Sequence, residues 1–531
     1  MTRAPVNKPP RRQVRPRTTP TPPRAALALA AALGLARLLP TAVRLLRDWS
    51  RAPAAFVGDF AVLDLYLQRG LRGALWLGPY SRYGWHHPGP LWLYAMLPAY
   101  ALSGRAPIAL VAWNLSLSLA ALALSVALLA RRVAAPALAL FAALLALLVP
   151  QLGEQLVYPW NPFVIVAPFL LLLVVATRAV LDGWRWAPPL VLLHAFLAQT
   201  HLGVLPASTA CAGAALAALA LLPSHRGLAR PRWALPLTLA TFAVLWAPVL
   251  VEQLRDRPGN LTRLARFFSD PSHPAQPWDL ALVAWARVTF GLLLRPLDVA
   301  PGVPLAAALG VITAAAFALG LRAAARRRDP LALCLCGFSL LALVGGLLSA
   351  RAVVGDIRDY LLAWSTVATL PGLVGLAHLA SSRATDAWLY AAAALLGLGA
   401  LPGAASTVRG VPIFDPELAR SVAAVATAVD ASRGRTIAVA QSEHDQWPDM
   451  AAVVDQLSLR GHRVSYPPDW SFMLGDAPPP TPPGATVLLL SPALPRAGSA
   501  AGVECLARAP RGWRSLAVAG PREAICVATP R

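Results

Sequence analysis

Eleven apolar runs of about 15 to 24 residues constrain the fold of this chain more than any other feature. Helices of that length cross a bilayer, the shorter ones where neighbouring helices thin it. Hydrophobic residues make up 57% of the 531 and charged residues only 14%, against about 25% in a soluble domain. These features exclude an ordinary cytosolic enzyme, a secreted disulfide scaffold and a disordered protein, and they indicate a polytopic membrane protein. The runs are 25–47, 107–130, 134–150, 162–180, 187–201, 202–222, 233–250, 304–321, 331–349, 360–380 and 387–402.

The arginines between the apolar runs orient the chain in the membrane. A further apolar run, 88–102, is short and contains three prolines. Whether this run crosses the bilayer decides on which side of the membrane each later loop lies. If it lies on the outer surface, the Arg pair at 131–132 and the later arginine clusters face the cytoplasm, while loop 151–161 has no Lys or Arg. The positive-inside rule therefore favours eleven spans, a cytoplasmic N-terminus and an extracytoplasmic C-terminus, with long outer loops at 48–106 and 251–303.

Composition divides the chain into three parts. Residues 1–24 contain seven basic residues, no acidic residue and many prolines, which predicts a disordered basic tail in the cytoplasm. Residues 25–402 contain the apolar runs and form the predicted transmembrane domain. Residues 403–531 hold 12 Arg and 11 Asp plus Glu, a balance typical of a soluble domain. Since the net charge of +22 lies mainly in the tail and the short loops, no nucleic-acid partner is predicted.

The pattern of apolar residues in 403–531 predicts a small extracytoplasmic α/β domain. No glycine-rich phosphate loop follows any of its predicted strands. Cys505 and Cys526 flank the last strands, and the pattern leaves a disulfide and two free thiols equally open. The predicted helices are 415–431 and 444–459, and the predicted strands are 435–440, 462–466, 485–490, 513–518 and 524–528.

Polar and aromatic residues gather at the outer ends of the apolar runs. Transporters and pumps usually carry charged groups near the middle of the bilayer, where most of these runs have none. A site at the outer membrane–water boundary suits a substrate with a lipid tail and a polar head. The gathered residues include Asp59, Asp64, Tyr80, Arg82, Tyr83, His86, His87, Asn161, His201, Asp356 and Arg358.

Two stretches of the first outer loop, GDFAVLDLYLQRG (58–70) and GPYSRYGWHHPGPLWLY (78–94), are recognisable. They resemble the opening of the GT-C glycosyltransferases, which include protein O-mannosyltransferases and the lipid A aminoarabinose transferase. The order of elements matches as far as about residue 201. The resemblance implies a polytopic all-α membrane domain that moves a sugar from a polyprenyl-phosphate donor to a hydroxyl. The acceptor would be a cell-envelope glycan, lipid or protein at the outer face of the cytoplasmic membrane.

The resemblance also implies roles for individual residues. Asp59 matches the catalytic aspartate of the family and would act as the general base. His87 falls where a relative has Lys before its Pro, and His201 where the relative has Thr-Lys-Gly, so both would bind the donor phosphate. Arg82 lies close by in sequence and offers bidentate contacts to a phosphate. The remaining predicted site residues are Asp64 as a second catalytic carboxylate, and Tyr83, Asn161 and Arg358 as substrate-binding residues.

The chain also departs from the pattern of the family. Asp59 is followed by Phe60 where the family often has Asp-Glu. Asp64 lies five positions along the helix, about 140° away, so it cannot share a face with Asp59. Asn161 stands where relatives have an acidic residue, and an amide can hydrogen-bond a sugar but cannot act as a base. The histidine pair that ends at His87 lacks a third ligand, so neither a metal nor another cofactor is predicted.

Two other classes of function stay open from the sequence. One is a transporter or lipid flippase with an external cap domain. The other is a non-catalytic GT-C-like scaffold, because the first loop has one acid at the family position and Asn161 replaces the other. An Asp59→Asn variant that folds but loses transfer separates the enzyme from both.

Overall fold

Helices dominate the structure, which is a computed structural model. It describes residues 55–221, 231–382, 384–399, 414–415, 436–441, 447–474, 486–492, 513–519 and 523–530. The predicted run 25–47 and the predicted helix 415–431 lie outside these residues, apart from Asp415. The longer helices are Asp59–Leu71 (α1), Leu91–Leu102 (α2), Pro107–Ala130 (α3), Ala135–Leu152 (α4), Val166–Asp182 (α5), Ala187–Thr200 (α6), Leu205–Leu221 (α7), Ala234–Arg255 (α8), Asn260–Ser269 (α9), Trp278–Thr289 (α10), Val303–Arg327 (α11), Pro330–Arg351 (α12), Leu370–Ala380 (α13), Asp386–Gly399 (α14) and Trp447–Leu459 (α15).

Seven helical stretches in the described residues are long and apolar enough to cross a membrane. Each coincides with a predicted run to within a few residues. Three other predicted runs, 134–150, 187–201 and 387–402, are helical but shorter in the described residues, as α6 shows with 14 residues. The structure therefore supports a multi-pass membrane protein, whereas the predicted count of eleven spans is not established. The seven stretches are Pro107–Ala130, Asn161–Asp182, Leu202–Leu221, Ala234–Arg255, Val303–Arg327, Pro330–Arg351 and Asp359–Ala380.

The start of α12 shows how the sequence begins a helix. Asp329 caps it, since its carboxylate accepts a hydrogen bond from the backbone N–H of Ala332 at 3.1 Å. Pro330 follows at the first helical position, where a missing N–H costs nothing. At the centre of the bundle, every residue of α5 from Val166 to Ala179 is buried, which explains why that helix is almost purely apolar.

Close packing of α7 against α12 depends on Gly345. A Cβ at this position would lie 2.6 Å from the Cα of Ala207, which is backbone that cannot move aside. Gly345→Ala is therefore expected to destabilise the protein by about 1–3 kcal/mol, as overpacking does, and to lower the melting temperature in detergent. Gly213→Ala is the matched control, because a Cβ there meets open space. Equal melting temperatures for the two variants would contradict this packing.

The C-terminal segment contains a five-stranded sheet, formed by Thr436–Gln441 (β3), Arg463–Ser465 (β4), Thr486–Pro492 (β5), Trp513–Ala519 (β6) and Glu523–Pro530 (β7). The strand order is β4-β3-β5-β7-β6. Strands β4, β3 and β5 are parallel, and β7 is antiparallel to both β5 and β6. Helix α15 connects β3 to β4. A two-residue strand, Ala55–Phe56 (β1), pairs with Phe414–Asp415 (β2) and ties this segment to the first loop.

Each of these strands lies within two residues of its predicted position, and the described helix α15, Trp447–Leu459, lies within the predicted helix 444–459. Cys526 lies in β7, whereas Cys505 lies outside the described residues, so the disulfide between them stays a prediction. Cys211, Cys334 and Cys336 are free and buried in the helical bundle, as predicted.

A pair of buried carboxyl groups joins α1 to α15. Asp64 and Asp455 have no solvent-exposed surface, and the amide Nε2 of Gln68 donates to both, at 3.0 and 2.7 Å. The hydroxyl of Tyr100 also donates to Asp64, at 2.9 Å. Burial raises the pKa of Asp64, and burial together with the charge of Asp64 raises the pKa of Asp455 well above its usual range. These raised pKa values favour a proton shared between the two carboxyls, whereas the positive charge of Arg105 lowers the pKa of Asp64.

This shared proton makes the contact between α1 and α15 sensitive to pH. Because the pKa values are raised by folding, the stabilisation is complete below the pKa of an unfolded aspartate and is lost as pH rises through the folded values. We expect the amide hydrogens of α15 to lose protection as pH rises, after the base-catalysed rise of the intrinsic exchange rate is divided out. Asp455→Asn removes one of the two titrating carboxyls, so the pH dependence of this protection should become weaker. Hydrogen exchange of 447–459 measures this, and an unchanged pH dependence in Asp455→Asn would refute the assignment.

Candidate active site

A cavity of about 1160 Å³ lies where the first loop, the ends of several spans and the C-terminal segment meet. Its lining is mostly apolar and rich in aromatic residues, with few polar groups, as in many ligand sites. The lining includes Leu205 and Pro206 at the start of α7. It also includes residues of the C-terminal segment, such as Trp447 and Trp470.

Asp59 lines this cavity at the first position of α1. Gly58 precedes it with φ at +58°, a conformation that glycine adopts without strain, and this brings the carboxylate into the cavity. The hydroxyl of Tyr80 donates a hydrogen bond to Oδ1 of Asp59, and the indole of Trp160 donates another. Burial nevertheless outweighs both bonds and raises the pKa of Asp59 above that of an exposed aspartate. A carboxylate of raised pKa beside empty space is suited to accept a proton.

A tight hairpin in the first loop holds three of the other predicted residues, Arg82, Tyr83 and His87. The N–H of Ser81 donates to the carbonyl of Trp85, and the N–H of His87 donates to the carbonyl of Pro79, both at 2.8 Å. Gly78 beneath the hairpin must be glycine, since a Cβ would lie 2.5 Å from the carbonyl oxygen of His87. The hairpin brings Tyr80, Arg82, Tyr83, Trp85 and His87 to the cavity.

His87 and His201 form a stacked pair, with ring centroids 5.1 Å apart and an interplanar angle of 27°. Nδ1 of His87 accepts from the N–H of Leu202 at 3.0 Å, and Nδ1 of His201 accepts from the N–H of Gly203 at 2.9 Å. Burial lowers the pKa of His87 well below its usual value and that of His201 to about 4. Both rings are therefore neutral at pH 7 with the proton on Nε2. Two N–H donors thus belong to residues that line the cavity.

Asn260 anchors the hairpin to the second long loop. Its side chain accepts from the N–H of His86 and donates to the carbonyl of His86, both at 2.8 Å. The backbone N–H of Asn260 in turn donates to the carboxylate of Glu252 at 2.9 Å. Asn260 is almost completely buried, and its two hydrogen bonds to His86 hold the hairpin in place. The sequence carries no local signal for this contact, because the partners lie 174 residues apart.

Six of the eight predicted site residues line the cavity. Arg82 donates to the hydroxyl of Tyr83 at 2.9 Å, and Tyr83 donates to the carbonyl of Val354 at 2.6 Å. The other two predicted residues lie elsewhere. Asp64 is enclosed in the carboxyl pair described above, and the exposed Arg358 pairs with Asp356 at 3.0 Å. The six residues in the cavity are Asp59, Arg82, Tyr83, His87, Asn161 and His201.

Several cavity residues were not predicted as site residues. Tyr80 and Trp160 contact the Asp59 carboxylate directly, and Tyr360 packs against Trp160 with ring centroids 4.7 Å apart. Trp447 and Trp470 come from the C-terminal segment. Aromatic residues near a membrane surface are usually interface anchors, so their types alone do not mark a site. Among the described residues, no group of three or more His, Cys, Asp or Glu is placed to hold a metal ion.

Two solved structures share the fold of this chain over almost its whole length. Both are crystal structures of ArnT from Cupriavidus metallidurans, one bound to undecaprenyl phosphate and one in the apo state. The sequence identities are 12% and 13%, and the TM-score is 0.54 for both. Each alignment covers 95% of this chain, and 97% and 98% of the respective ArnT chains.

The arabinofuranosyltransferase AftD from Mycobacteria is a more distant match, with 16% identity and a TM-score of 0.42. That alignment covers 97% of this chain but 40% of the AftD chain. No protein-family model matches the chain, and no curated protein matches it in sequence. The fold shared with the ArnT structures agrees with the membrane architecture predicted from the first loop.

Proposed function

We propose that this protein is a membrane glycosyltransferase that moves a sugar from a polyprenyl-phosphate donor to an acceptor hydroxyl. The cavity carries this proposal, because it combines a carboxylate of raised pKa at Asp59 with the N–H donors of His87 and His201. The shared fold adds support, since one of the ArnT structures is bound to undecaprenyl phosphate. The site would face the outer side of the cytoplasmic membrane, with the N-terminus inside and the C-terminal segment outside.

In the proposed reaction, Asp59 removes the proton from the acceptor hydroxyl while its oxygen attacks the anomeric carbon of the donor. The bond between that carbon and the phosphate oxygen breaks, and its electron pair leaves with the polyprenyl phosphate. The Nε2–H groups of His87 and His201 donate hydrogen bonds to the charge that develops on this phosphate. Arg82 lies in the same cavity and supplies the positive charge that two neutral imidazoles lack. Tyr83 and Asn161 are proposed to contact the sugar.

Turnover of labelled donors by the purified protein tests the proposal. We expect the protein in proteoliposomes to release label from at least one polyprenyl-phosphate monosaccharide, by transfer to acceptors in a membrane extract or by hydrolysis. Sugar-free polyprenyl phosphate should compete. If folded protein consumes no donor but moves labelled lipid across the bilayer, the protein is a transporter and the proposal is wrong.

A further inference from the structure

One wall of the cavity is built by the C-terminal segment, and its chemistry differs from the rest. It consists of Trp447 at the start of α15, together with Asp469, Trp470, Phe472 and Met473. The rings of Trp447 and Trp470 are nearly parallel, with centroids 6.4 Å apart and an interplanar angle of 21°. Asp469 is exposed beside them. The wall is therefore a pair of aligned indoles next to a carboxylate.

Several contacts hold this wall close to Asp59. The N–H of Gly58, the residue before Asp59, donates to the carbonyl of Pro448 at 3.0 Å. A Cβ at Gly58 would lie 3.5 Å from the ring of Trp447. The ring of Phe472 packs edge-on against Tyr80, which itself donates to Asp59, with centroids 6.3 Å apart. A molecule lying against the indoles is therefore within reach of the proposed general base.

The charges in the cavity narrow the class of molecule that fits this wall. Among the described residues that line the cavity, the charged side chains are those of Asp59, Arg82 and Asp469. The wall itself contributes only the negative charge of Asp469. An anionic group placed there would meet a carboxylate and no cation, which is unfavourable. The wall therefore suits a ligand without negative charge.

A saccharide has the surface that this wall complements. The C–H groups of a pyranose or furanose ring form an apolar face, which packs against the flat face of an aromatic ring. Its hydroxyl groups form a polar rim, and an ionised carboxylate accepts two such hydrogen bonds. Aromatic side chains with a few well-placed polar groups are the usual composition of such binding sites.

We propose that Trp447, Trp470 and Asp469 form the acceptor subsite of this enzyme and that the acceptor is the end of a neutral glycan. This inference rests on the proposed function and names the class of its acceptor. The glycan end packs on the indoles, Asp469 binds its hydroxyl groups, and one hydroxyl reaches Asp59. The rest of the cavity is left for the lipid phosphate.

Calorimetric titration of the full-length purified protein tests the subsite. The probes are neutral gluco-, manno-, galacto- and arabino-oligosaccharides, with oligogalacturonides as the acidic set. We expect at least one neutral series to bind, and its Kd to rise about tenfold or more in Trp447→Ala, as for other tryptophans in binding sites. Asp469→Asn, at an exposed position where misfolding is not expected, should weaken the same binding. Trp388→Ala removes an exposed tryptophan outside the cavity and should change nothing.

The outcomes for the subsite and for the transferase are distinguishable. Trp447→Phe keeps an aromatic face and should retain more affinity than Trp447→Ala. Failure of the folded wild type to bind any neutral oligosaccharide, equal binding of the acidic set, or unchanged binding in both Trp447→Ala and Asp469→Asn would each overturn the subsite. Glycan binding that depends on Trp447, in a protein that consumes no donor, would keep the subsite and overturn the transferase.

Discussion

Replacing Asp59 by Asn is expected to lower the rate of sugar transfer by about 10²- to 10⁴-fold, the usual contribution of a general base. The amide has nearly the same shape and still accepts the hydrogen bond from Tyr80. It cannot take up the proton of the acceptor hydroxyl. The melting temperature and the affinity for the lipid donor should therefore stay close to the wild-type values.

Asp279→Asn provides the control, because Asp279 is exposed and lies outside the cavity. That variant should transfer sugar at the wild-type rate. A folded Asp59→Asn protein with wild-type activity would show that Asp59 is not the base. Loss of activity together with loss of donor affinity would place Asp59 in donor binding instead.

The pH profile of transfer gives a second readout of Asp59. The base works only when it is ionised, and burial raises its pKa. An exposed aspartate titrates at about pH 4. The rate of transfer should therefore begin to fall on the acid side at a pH above that value. The residual activity of Asp59→Asn should lack this acid limb. An identical limb in the variant would assign it to another group.

Replacing His87 by Phe is expected to weaken the binding of polyprenyl phosphate by about 10- to 100-fold, the value of a hydrogen bond to a charged group. Phenylalanine keeps the stacking on His201 but has no N–H to offer the phosphate. Glutamine retains both functions of the neutral imidazole. Its carbonyl can accept from Leu202 while its amide N–H₂ donates to the phosphate, so His87→Gln should bind almost normally.

Binding of fluorescent polyprenyl phosphate to the purified variants measures this difference. His194→Phe is the matched control. His194 lies on α6, seven positions before His201, but does not line the cavity. Equal affinities for His87→Phe and wild type would remove the stacked pair from the phosphate site. A loss in the Gln variant as large as that in the Phe variant would show that a hydrogen bond donated by residue 87 does not account for the affinity.

How much of the site could be predicted depends on how local its determinants are. Asp59 and His87 lie in one loop whose residue order is recognisable, and His201 is the last residue of a predicted run. The helical spacing also predicted that Asp64 would not share a face with Asp59. Its actual partner, Asp455, lies 391 residues further along, and no local pattern connects the two.

The same limit applies to the residues that lie outside the cavity or were not predicted. Arg358, predicted to bind substrate, lies outside the cavity and pairs with the neighbouring Asp356 at the surface. Trp447 belongs to a helix whose spacing of apolar residues predicts a buried face. That spacing does not show which element of the protein covers the face. Its place beside Asp59 arises from the packing of the C-terminal segment on α1. Short helices such as α6 also show why the number of spans cannot be counted from apolar runs alone.

A structure of the protein with a polyprenyl-phosphate sugar bound, determined by electron cryo-microscopy with the Asp59→Asn variant to prevent turnover, tests the central claim most directly. The phosphate should lie at hydrogen-bonding distance, about 3 Å, from Nε2 of His87 and of His201. The anomeric carbon should face residue 59. Density for the lipid phosphate at another position, or a cavity that stays empty at saturating donor, would contradict the assignment of this cavity as the site of sugar transfer.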